Sequence, residues 1–82
     1  MDNELWGVVN EILSELESRG DVPSQTAGVQ LRRAMTISSN GAEVWAAIRS
    51  ELGTLVGPAN LLNGDVREKA LFVIEALDAG LG

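Results

Sequence analysis

Apolar residues recur every three to four positions along most of this chain, and the runs are separated by Gly, Pro and Asn. The breaks are Gly20 followed by "DVP", then "SSNG", then "GPANLLNG", then Gly80. Alternation of period two never persists long enough for a strand, and no internal repeat is visible. The pattern predicts an all-α fold, a small compact four-helix domain over residues 1–82.

Helix 1 is predicted from Asp2 or Asn3 to Arg19, with Gly20 following as the C′ residue. Leu5, Val9, Ile12 and Leu16 fall on one line with Val8 beside it. Trp6 and Leu13 form a shoulder that widens the apolar arc to roughly 160°. Glu4 suits the positive end of the helix dipole and Arg19 the negative end. Helix 2 is predicted over 24–37, with Ser24 as N-cap after Pro23 and a thin stripe of Ala27, Leu31, Ala34 and Met35. Gly28 within it costs about 1 kcal/mol relative to Ala.

Helix 3 is predicted over 41–56, with Asn40 as N-cap and Glu43 at capping-box spacing. Val44, Trp45, Ile48, Leu52, Leu55 and Val56 share an arc of about 120°, and Gly57-Pro58 ends the helix. Helix 4 is predicted over 65–79 with Asp65 as N-cap and Glu68 at N3. Val66, Ala70, Val73, Ile74 and Leu77 form its inner face. Trp45, Ile48, Leu52, Val73, Ile74 and Leu77 are the expected centre of the core. Phe72 falls on the opposite side, among Glu68, Glu75 and Ala76. Either a neighbouring segment covers it or it is an exposed anchor.

With 45% hydrophobic residues the chain is a folding sequence. Its three aromatics (Trp6, Trp45, Phe72) leave a largely aliphatic core, marginal at this length, so a partner or a homodimer is expected. Cys and His are both absent. That removes disulfides, thiolate chemistry, structural zinc and any Ser-His or Cys-His nucleophile. Glu11 with Glu15, and Glu75 with Asp78, lie one turn apart, but on faces expected to be solvated. No histidine or lysine accompanies them, and no Gly-rich phosphate loop appears. The reading is a protein that is not an enzyme and needs no metal or organic cofactor.

The net charge is −6. Asp2, Glu4, Glu11, Glu15, Glu17 and Asp21 face only Arg19 in the first segment. Arg32 and Arg33 are the one adjacent basic pair, too little for a nucleic-acid or membrane footprint. The start "MDNELW" lacks the features of a secretory signal, and no apolar run approaches bilayer length, so a cytoplasmic location is expected. Asn60 and Asn63 read as turn and cap residues. The "LRR" of residues 31–33 reads as a solvated pair balancing helix 1, or as a dock for an acidic partner.

The stretch "NGAEVWAAIRSELGTLVGPANLLNGDVREKALFVIEAL" resembles the C-terminal half of FlaF, the small flagellar biosynthesis regulator of alphaproteobacteria. The resemblance is carried by Asn40, Trp45, Glu51-Leu52, Asn60-Leu61-Leu62 and the helix from about Asp65 with Val66 and Arg67. Residues 8–37 share only the layout of two preceding helices. The chain departs from that family in a longer Asn-to-Trp spacing, a longer linker through Gly53–Ala59, and Asn63-Gly64 where a proline is usual. Membership would imply promotion of flagellin synthesis and secretion by association with flagellin, in concert with a flagellin-translation regulator.

The competing reading is a small acidic inhibitor or adaptor, for instance phage-encoded, that binds a host protein complex. It would present Glu4, Glu11 and Glu15 where a phosphate backbone would sit. Under either reading the expected contacts are Trp6, Leu13 and Phe72 as apolar anchors. Arg32 and Arg33 would steer from the rim.

Overall fold

The computed structural model describes residues 3–37 and 40–80, and of Asn3 the backbone alone. Four helices follow in order: α1 (Asn3–Ser18), α2 (Val22–Met35), α3 (Gly41–Val56) and α4 (Gly64–Asp78). No strand occurs among the described residues. Each helix packs on its chain neighbours, and α4 closes back onto α1, so the four form a ring whose diagonal pairs, α1/α3 and α2/α4, do not pack helix on helix. Cross-links fix the directions. Lys69 meets Glu11 while Arg19 reaches Leu61, so α1 and α4 are antiparallel. Arg49 meets Asp78 while Arg67 reaches Val56, so α3 and α4 are antiparallel too.

The helix ends explain where sequence reading slipped. Ser24 does not cap α2. Asp21 does, accepting from the Ser24 N–H at 3.0 Å, and Pro23 lies within the first turn, where no N–H is missed. Ser24 is instead buried on the α2 face that meets the core. At α4 the cap position belongs to Asn63, and Asp65 lies in the first turn, where its charge faces the positive end of the helix dipole. Gly64 between them has φ +60°, a conformation that disfavours any side chain. Asn40 caps α3 as predicted, accepting from the Ala42 N–H at 2.9 Å. Gly20 does not enter the left-handed region. The Gln25 amide closes the end of α1 by donating to the carbonyls of Glu17 and Arg19.

One core cluster runs through the ring. Leu5, Val9, Ile12, Leu13 and Leu16 enter it from α1, and Val44, Trp45, Ile48, Leu52 and Leu55 from α3. Ala70, Val73 and Ala76 come from α4, with Ile74 and Leu77 half-buried at the margin. The α2 face is made of small groups (Ser24, Ala27, Gly28, Ala34) around Leu31, and it lies close against α1. Leu62 in the α3–α4 connection is fully buried, so that loop supplies a core residue. The loop is shaped by Asn60 at φ +49° and by the Leu61 N–H donating to the Leu55 carbonyl at 2.9 Å. A radius of gyration of 11.6 Å matches the roughly 12 Å of a compact chain this long.

Candidate functional site

The residues expected to meet a partner do not form one surface. Leu13 is 4% exposed and belongs to the core, because the α1 apolar arc is wide enough to face both α2 and α4. It is therefore no surface anchor, which corrects the sequence reading. Trp6 is half-buried and its ring stands edge-on to Trp45, so much of it is committed inward. Arg32 is tied to Glu17 of α1 at 2.6 Å, and Arg33 lies on α2, diagonally across the ring from α4. Phe72 is the anchor that stays available, 48% exposed.

Phe72 belongs to a defined stripe. Asp65, Glu68, Phe72 and Glu75 follow helical spacing along the outer face of α4, with the exposed Leu71 at its flank. Ala76, expected beside Phe72, turns inward and is buried. Asp65, Glu68 and Glu75 join none of the ion pairs among the described residues. The stripe is thus an apolar centre with free carboxylates above and below it. An aromatic held half out of a packed domain presents a large apolar area at low entropy cost, the chemistry of an interface anchor.

Most basic groups are spent inside the fold. Arg19 donates to the Leu61 carbonyl at 2.6 Å, Arg67 to the Val56 carbonyl at 2.9 Å, and Lys69 pairs with Glu11 at 3.1 Å. The lysine missing from the sequence neighbourhood of Glu11 thus arrives from α4. Arg49 grips Asp78 through two hydrogen bonds, which hold the Asp78 carboxyl below its ordinary value and raise Arg49 above its own. Asp21 is also lowered, by hydrogen bonding first from the Ser24 side chain and then from its backbone. Arg33 has no partner among the described residues.

Two shallow clefts accompany these surfaces. One, about 240 Å³, lies between α3 and α4 and is lined by Trp45, Leu77 and the Arg49–Asp78 pair. The other, about 340 Å³, lies between α2 and α3 and takes in Arg33, Ile37 and Glu51. Neither brings together a nucleophile and a base. No three acids among the described residues converge where a metal ion could sit.

A second exposed apolar group went unnoticed in the sequence. Val22, Val29 and Ile37 are 76%, 58% and 61% exposed, on α2 and just past its end. The signal was present: Val22–Met35 contains no acid, although the chain has twelve. No family model matches the chain, and neither a curated protein nor a solved structure matches it. No described helix is long and apolar enough to cross a membrane.

Proposed function

We propose that this domain is a non-catalytic protein-binding regulator working in the cytoplasm, and that its docking surface is the outer stripe of α4 centred on Phe72. The observation that carries the reading is Phe72 itself, half-exposed beside Leu71 on a helix whose opposite face already fills the core. A partner's amphipathic helix laid along the stripe would cover Phe72 and Leu71. Asp65, Glu68 and Glu75 would face its polar, basic flank. The FlaF resemblance makes flagellin the partner: an apolar helix face of flagellin, unpaired before export, is what this stripe would cover.

The competing reading, an acidic face presented as a phosphate mimic, draws less support. Two of the three acids that reading uses, Glu11 and Glu15, each have a basic partner, at 3.1 and 3.9 Å respectively. Calorimetric titration of flagellin into the domain and its Phe72→Ala variant tests the proposal. Saturable binding by the parent, weakened more than fivefold in the variant, is the expected result. Absence of binding to flagellin removes the flagellar assignment, and equal binding by both proteins removes the α4 surface.

A further inference from the structure

The outer faces of α2 and α4 are complements of each other. The α2 face carries Val22 and Val29, with Ile37 just beyond, and it has the unpaired Arg33 and no acid of its own, the nearest being Glu51 of α3 in the cleft that Arg33 and Ile37 line. The α4 face carries Phe72 and Leu71 with three free carboxylates and no free base. Each face has an apolar centre, and their charges are opposite in sign. The two helices occupy opposite corners of the ring, so one molecule cannot bring its own faces together. We infer that the α2 face of one molecule receives the α4 face of a second copy, a head-to-tail contact with Phe72 set against Val29, midway along α2, and with Arg33 one turn on facing the α4 carboxylates.

Charge decides between this arrangement and the two symmetric ones. An α4-to-α4 dimer would bring Asp65, Glu68 and Glu75 against their own copies. An α2-to-α2 dimer would bring Arg33 against Arg33. Only the crossed pairing relieves both like-charge contacts. Because each copy keeps a free α2 face at one corner and a free α4 face at the other, the contact does not close on itself at two molecules. It extends to short chains or a ring. One helix face on another is a small interface, so the association is weak and follows concentration. It also covers Phe72, so self-association and partner binding exclude one another. That consequence rests on the function proposed above, whereas the self-contact itself does not.

Sedimentation velocity on the domain alone, from roughly 10 μM to 1 mM, tests the contact without any flagellin present. The weight-average sedimentation coefficient of the parent should climb with concentration and pass the dimer value. Val29→Glu destroys the α2 face and Phe72→Ala the α4 face, so each variant alone should remain a monomer. Mixed in equal amounts they should form a dimer and go no further, since each contributes one intact face. Val22→Glu replaces Val29→Glu if circular dichroism shows the latter misfolded. A parent that stays monomeric across the range overturns the inference, as do variants that associate like the parent or a mixture that fails to pair. Loss of flagellin binding in the titration above would leave these results untouched.

Discussion

Trp6 meets Trp45 edge-on across the diagonal of the bundle, ring centroids 5.5 Å apart and planes at 85°. The α1 and α3 backbones do not approach each other, so these two indoles bridge a diagonal that the helices leave open. Edge-to-face pairs add about 0.5–1.5 kcal/mol beyond the area they bury. Trp45 is the buried partner and Trp6 the half-exposed one. In urea unfolding, Trp45→Ala should lose about 3–5 kcal/mol and Trp6→Ala about 1–3 kcal/mol. Equal losses would mean that the diagonal contact, and not burial, sets the energy.

Leu13 and Phe72 should separate cleanly. Leu13→Ala leaves a hole between α1 and its neighbours and should destabilise the fold by about 2–5 kcal/mol. Phe72→Ala should lose only about 1 kcal/mol, since half of its ring is already in water. Thermal melts of the two variants side by side check this. A large loss for Phe72→Ala would place that ring in the core.

Gly28 invites a stabilising change. A Cβ there would sit 3.4 Å from the Glu17 Cγ and 3.7 Å from the Leu16 Cβ, ordinary packing distances. The helical conformation suits alanine better than glycine by about 0.8–1 kcal/mol. Gly28→Ala should therefore raise the melting temperature, whereas Gly28→Leu should lower it by forcing α2 off α1. A drop for the alanine variant would show that the α1–α2 interface tolerates no added methyl.

Acid should loosen the fold through Asp78 and Asp21. Both carboxyls are held below their ordinary 3.8 when folded. Their stabilisation is therefore complete above the unfolded value and disappears as pH falls through the lower, folded one. Melting temperatures should thus decline below about pH 4. Asp21→Asn keeps a capping oxygen without the charge, so it should melt slightly below the parent at pH 7, fall less steeply in acid and converge with the parent there. An acid limb identical to the parent's would assign the loss to other groups.

The helices were legible because their apolar stripes are unambiguous: Val44, Trp45, Ile48 and Leu52 can face only one way. Helix starts were harder. Ser24 looks like a cap after Pro23, but Asp21 can reach the same amides from one turn earlier and leaves Ser24 free to be buried. Leu13 was misread because a wheel shows the width of an arc but not how many neighbours share it, and α1 serves two. Leu62 could not be read at all, since a loop has no period to say which residue turns inward. The α2 face carries no periodic signal either; its mark is the absence of acids.

The α1–α4 seam has a consequence for the chain as a continuous thread. Glu11 lies against Lys69 and Arg19 against Leu61, so the start of α1 lies beside the end of α4. Joining the end of the chain to its start through a flexible Gly- and Ser-rich linker should close the polypeptide into a loop. New termini could then be opened between α2 and α3, which leaves the arginine contacts at Val56 and Leu61 in one continuous stretch of chain. This circular permutant should keep the parent's helical circular dichroism and cooperative melt. A permutant without cooperative unfolding would show that the α2–α3 connection is itself needed to bring its two helices together. A folded one would mean that the core is indifferent to where the thread begins.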